Sequence, residues 1–137
     1  MFKRIVIALD LGEDPKRLTE LIKEFMDERE SKIYLIHVVD LDSAGAMAET
    51  LKSDDKAALK NIAAGLSQKG LDVKTWVAVG SPVQEILAYA DEVGAELIVV
   101  GAHNKGFASS IILGSVSKDV IKHSKLPVLV LKDRASK

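Results

Sequence analysis

Five short apolar runs punctuate this chain: Arg4–Leu9, Ile33–Val39, Val73–Val79, Leu97–Val100 and Pro127–Leu131. Four of them are apolar on both faces and rich in Val and Ile. A strand wet on one side must alternate polar and apolar residues, whereas a strand covered on both sides need not. These runs therefore predict a parallel sheet with helices on each face. The third run differs, because Lys74 and Thr75 intrude, which suits an edge strand.

Helical patterns occupy the gaps. The first spans Pro15 to Arg29, with Leu18, Leu21, Ile22 and Phe25 at core spacing and Asp14 placed to cap it ahead of a proline. The second covers Asp54 to Gln68, turns Leu59, Ile62, Ala63 and Leu66 inward, and is stopped by Gly70. The third starts at Ser81-Pro82 with Gln84 completing a capping box, and carries Val83, Ile86, Leu87 and Ala90. The fourth follows Gly114, with Val116, Val120 and Ile121 on one face, and ends near Lys125 before Pro127. Residues Leu41 to Ser53 mix Asp, Ser, Gly and Ala, and read equally as a loop, a short helix or a flap.

The resulting order, β-α-β-α-β-α-β-α-β, predicts an α/β three-layer sandwich around a five-stranded parallel sheet. Right-handed crossovers leave strand orders such as 3-2-1-4-5 and 2-1-3-4-5, of which 3-2-1-4-5 is carried forward. At 137 residues, 47% apolar and 28% charged, residues 1–137 form one domain. A net charge of -1 provides no field to attract nucleic acid. Zero cysteines exclude a disulfide framework, a thiol catalyst and a Cys-ligated metal. No apolar run is long enough for a signal segment or a membrane span, so a cytoplasmic protein with no membrane partner is expected.

Open sheets of this kind bind ligands beyond the carboxyl ends of their strands, where strand order reverses. That point lies between strands one and four, closed by Asp10 and Gly101. Gly101-Ala102-His103-Asn104-Lys105-Gly106 follows the fourth strand, and Leu113-Gly114-Ser115-Val116-Ser117 opens the fourth helix. A glycine-bearing loop entering a helix N-terminus offers free N–H groups and a positive dipole end, a physical recipe for holding phosphate. A carboxylate at Asp10 would accept hydrogen bonds from ribose hydroxyls, and His37-Val38-Val39-Asp40 flanks the crevice where a flat base would lie.

Blander readings stand beside these. Asp10 can cap a turn, although Asp14 already serves the first helix. Gly114, Ser115 and Ser117 can satisfy the orphan N–H groups of a helix start. His37 reads as packed within its strand, His123 as a surface residue and Lys105 as a solvated charge. Three scattered histidines have no metal-ligand spacing. Asp40, Asp42, Asp54 and Asp55 have no visible partner base, and Ser109 and Ser110 lack a nucleophile-elbow context. Trp76 and Tyr34 read as core or edge-packing residues. The last run, apolar on both faces at a sheet edge, predicts pairing with its own copy.

Taken together these residues resemble the universal stress protein family, whose nucleotide-binding members carry G-x-x-G, nine residues, then G-[S/T]. Gly101, Asn104, the nine residues Lys105 to Leu113, and Gly114-Ser115 follow that spacing, with Asn104 in place of the second glycine. Ala8-Leu9-Asp10, His37-Val38 and Gly80-Ser81-Pro82 extend the resemblance over the whole chain. It implies an adenine nucleotide alpha hydrolase-like, Rossmann-like fold and a regulatory module that binds ATP or AMP, with Mg²⁺ or Mn²⁺ accompanying ATP. It places ribose on Asp10, adenine against Val38, the loop glycine at Gly101, and phosphate at His103, Asn104, Gly114, Ser115, Val116 and Ser117. It also implies a homodimer through Pro127–Leu131, and no enzymatic role. Two alternatives remain. Asn104 argues for an interaction module with an unknown protein partner that has lost nucleotide binding, and a slow ATP hydrolase would lack an evident base.

Overall fold

The structure, a computed structural model, describes residues 2–9, 20, 22–24, 26, 30–104, 111–112 and 114–132. Its strands are β1 (Arg4–Ala8), β2 (Lys32–Asp40), β3 (Asp72–Gly80), β4 (Leu97–Asn104), β5 (Ile111–Ile112) and β6 (Val128–Lys132). Its helices are α1 (Leu41–Ala44), a 3₁₀ turn (Gly45–Met47), α2 (Ala48–Ser67), α3 (Pro82–Glu92) and α4 (Ser115–His123). The predicted first helix falls mostly outside the described residues; within it, residues 20 and 22–24 are helical and Ile22 is fully buried.

Five strands are parallel and lie in the order β3-β2-β1-β4-β6, the 3-2-1-4-5 arrangement of the five apolar runs. The pleat explains why those runs are apolar on both faces. Ile5, Ile7, Ile33, Leu35, Leu97 and Val99 point to one side and pack with Leu59, Ile62 and Leu66 of α2. Val6, Tyr34, Ile36, Ile98 and Val100 point to the other, against Ile86 and Ala90 of α3 and Val120 of α4. The interrupted third run, β3, pairs with β2 alone among the described strands and is the edge. Trp76 on it is 50% exposed and stacks on Tyr89 of α3 at 6.3 Å, while Tyr34 is buried and meets Tyr89 edge-on.

Three local expectations change. Residues 41–53 are helical throughout, and α2 starts at Ala48 rather than Asp54. Asp40 makes this possible: its carboxylate accepts the Asp42 N–H at 3.1 Å and the Ser43 hydroxyl at 3.2 Å, which caps α1. Gly45 then turns the chain at φ 53°, and buried Ala48 seats the start of α2. At α3 the capping box does not form. Ser81 is the N-cap but makes no side-chain cap bond; Pro82 has no N–H to satisfy, and Ser81 and Gln84 are exposed to water. Finally, β4 does not stop at Val100. It runs to Asn104 because Gly101 and Ala102 pair with Leu131 and Lys132 of β6, and His103 and Asn104 pair with β5.

The opposite end of the sheet is stitched by Glu96. Its carboxylate accepts the Lys3 N–H at 2.6 Å and the Arg4 N–H at 3.2 Å. Those two bonds hold its carboxyl below the usual carboxylate range. Arg4 in turn donates to the Val93 carbonyl at 3.0 Å, tying the start of β1 to the end of α3.

Candidate functional site

Strand order reverses between β1, which is followed by β2 on one side, and β4, which β1 reaches only through long crossovers. At the carboxyl ends of these two strands lies a cleft of about 380 Å³, within the ~300–1,000 Å³ range of small-ligand sites. Ala8, Ile36, Val38 and Val100 floor it from the sheet, Pro82 and Ile86 wall it from α3, and Gly114–Ser117 close it from α4. A second cavity of equal volume sits near the carboxyl ends of α3 and α4, lined by Leu87, Asp91, His123 and Leu126. Position separates the two: only the first is at the switch point.

The floor is apolar because the same pleat that buries Ile36 and Val38 on the α3 side continues past the end of the packed core. The far wall is polar for a different reason. Gly114 is the N-cap of α4 and no described side chain caps it. The first bond of the helix is Lys118 N–H to the Gly114 carbonyl at 3.1 Å. The N–H groups of Ser115, Val116 and Ser117 thus have no intrahelical acceptor. They sit at the positive end of a nine-residue helix that carries Lys122 and His123 in its last turn. The arrangement can accept a flat apolar group on the sheet side and an anion on the α4 side.

Ser117 is buried, and its hydroxyl donates to the Gly101 carbonyl at 2.8 Å. This bond locks the first turn of α4 onto β4. Gly114 has open space where a Cβ would stand, so its lack of a side chain is not demanded by packing in the protein alone.

Of the residues expected at the site, Val38, Gly101, Gly114, Ser115, Val116 and Ser117 come together around this cleft. Asp10 lies outside the described residues; Leu9, immediately before it, borders the cleft. His103 and Asn104 are placed only as backbone, in the segment of β4 that pairs with β5. The stretch expected to be a loop from Gly101 onward is therefore strand as far as Asn104, and 105–110 and 113 lie outside the described residues.

One functional candidate was missed by sequence reasoning. Asp55, without a visible partner in the sequence, accepts from or donates to His37 Nε2 at 3.0 Å, and His37 Nδ1 meets the Leu9 carbonyl at 2.9 Å. The available signal was parity: His37 follows Ile33 and Leu35 on the face that α2 covers, where a polar side chain needs partners. Asp40 also borders the cleft while it caps α1.

Comparison with known proteins covers nearly the whole chain. The model of the Universal stress protein family matches residues 1–132. Universal stress protein MJ0577 of Methanocaldococcus jannaschii is 30% identical over 159 aligned positions, covering 99% of this chain and 98% of its own. Universal stress protein MJ0531 of the same organism is 34% identical, covering 96% and 83%. The solved structure of MJ0577 superposes with a TM-score of 0.80 at 33% identity, over 99% of both chains. The universal stress protein of Archaeoglobus fulgidus in complex with dAMP superposes with a TM-score of 0.70 at 26% identity, over 93% and 96% of the chains. A universal stress protein in complex with cAMP gives a TM-score of 0.66 at 26% identity, over 96% and 97%.

Proposed function

This chain belongs to the universal stress protein family, and we propose that it is a regulatory module that binds ATP or AMP in the β1/β4 cleft without turning it over. The observation that carries this reading is the pairing of an apolar floor at Val38 with the uncapped N-terminus of α4 across one cleft at the switch point. The dAMP and cAMP complexes of two relatives support an adenine nucleotide as the ligand class. In this reading adenine lies against Val38, Asp10 takes the ribose hydroxyls, and phosphate is held by Gly101, His103, Asn104 and the N–H groups of Gly114 to Ser117.

Among the described residues no group of three or more His, Cys, Asp or Glu side chains gathers to hold a metal. A Mg²⁺ or Mn²⁺ accompanying ATP would be coordinated by its phosphates and water. The half-buried, apolar β6 has only β4 as a neighbour among the described strands, which supports a homodimer through Pro127–Leu131. A cysteine-free chain suits the cytoplasm we assign it.

Isothermal titration of the purified protein with ATP tests the reading. Binding should be weakened by Asp10→Ala and abolished by Gly114→Val. Because a Cβ at Gly114 meets nothing within 4 Å, the valine variant should melt like the parent and fail only when phosphate approaches. No heat of binding at millimolar ATP would refute the reading and favour the interaction module. Steady phosphate release proportional to protein would instead favour the hydrolase.

A further inference from the structure

His37 sits next to Val38 in β2, but the two side chains serve opposite faces. Val38 joins the core on the α3 side, whereas the imidazole of His37 reaches Asp55 on α2, eighteen positions along the chain. The ring and the carboxylate are only 18% and 24% exposed, so water competes weakly for either. The other ring nitrogen, Nδ1, contacts the Leu9 carbonyl at 2.9 Å, and the Leu9 N–H donates to the Ile36 carbonyl at 2.9 Å. Both polar backbone groups of Leu9 are thereby fixed, one residue before Asp10.

The protons on this bridge follow from the partners. A carbonyl only accepts, so Nδ1 must carry a hydrogen. Nε2 then faces a carboxylate oxygen at 3.0 Å, and the contact is attractive only with a proton between them. That proton makes the pair either imidazolium and carboxylate, or imidazole and carboxylic acid. Without it, a nitrogen lone pair faces an oxygen lone pair and the bridge opens.

We propose that His37 is a positioning residue for the nucleotide cleft, its imidazole holding the Leu9 carbonyl at the β1 exit against Asp55 of α2 through a shared proton. The inference rests on the nucleotide reading above. Among the described residues the groups around the ring are few. Asp55 faces it from α2, with exposed Asp54 and Lys56 on either side in the chain; β1 presents a carbonyl; β3 presents apolar Val77 as the register partner. Removing the Asp55 carboxylate therefore frees the ring and, with it, the Leu9 carbonyl, and nucleotide affinity should fall.

The test is ATP titration of the full chain for the parent, Asp55→Asn and Asp55→Ala. An asparagine amide donates to a neutral Nε2 and keeps the bridge, so Asp55→Asn should bind ATP like the parent. Asp55→Ala should bind about five-fold more weakly, roughly the effect of one hydrogen bond. Asp55→Ala equal to the parent, or Asp55→Asn as weak as Asp55→Ala, overturns the inference. No ATP binding by any of the three refutes the nucleotide reading instead. In that case the Leu9 amide decides: faster hydrogen exchange in Asp55→Ala retains the lock on the β1 exit, and unchanged exchange overturns it.

Discussion

Ser117→Ala removes one oxygen atom from the seat of α4. The hydroxyl is buried and donates to the Gly101 carbonyl at 2.8 Å. A neutral hydrogen bond contributes about 0.5–1.5 kcal/mol net, and an acceptor left buried and dry costs about 1–3 kcal/mol. Gly101 is half-buried, so water can reach its carbonyl and the lower range applies, about 1 kcal/mol. Alanine is the better helix former and returns a few tenths of that, leaving a net loss of about 0.7 kcal/mol. For a chain of this length the melting temperature should fall by about 2–4 °C, read by circular dichroism. Since about 1.4 kcal/mol is a factor of ten, the same loss applied to the seating of α4 on β4 weakens ATP binding about three-fold. Urea unfolding and ATP titration measure the two quantities separately. Stability equal to the parent would refute the claim that this bond seats α4. Lowered stability with unchanged affinity would refute the claim that the seat orders the phosphate wall.

Glu96→Gln should remove an acid-sensitive part of the stability. The folded carboxyl lies below its unfolded value, so its contribution is present above that value and is lost as pH falls through the folded one; parent and variant melting curves should converge in acid. A gap that persists in acid would count against the Lys3 and Arg4 N–H bonds as its source. Tyr89 behaves in the opposite sense. Burial, with smaller contributions from Tyr34 and Glu92, pushes its hydroxyl up to about 12. The neutral form is favoured in the fold, so this stability is complete below the ordinary tyrosine range and is lost as pH rises toward 12. Ultraviolet titration of the parent against Tyr89→Phe should show one late phenolic transition disappear.

Much of the architecture is legible from pattern alone, because apolar runs of both-face character have few ways to be buried. Lys74 and Thr75 mark β3 as the edge by pattern alone, and Gly70, at φ 90°, ends its helix as expected. Failures cluster where the deciding partner is distant in sequence or where local signals compete. Residues 41–53 mix Asp, Ser and Gly among small apolar residues, so the local signals compete, yet Asp40 caps α1 and Ala48 anchors α2 against the core. Ser81 and Gln84 have the capping-box spacing, but both face water, which satisfies the helix start as well as they would.

The site divides along the same line. Gly114-Ser115 and the helix behind it form an uncapped helix N-terminus readable from spacing, because its N–H groups belong to consecutive residues. The extension of β4 to Asn104 was decided by β6 and β5, whose ladder bonds no local pattern around Gly101 encodes. The contact between His37 and Asp55 was decided by the packing of α2 on β2. The sequence by itself therefore determined the layers and narrowed the strand order, and with it the place of the switch-point cleft. Only the tertiary structure decided which polar groups around that place are already spent on one another, because hydrogen-bond partners are chosen by proximity in space and not along the chain.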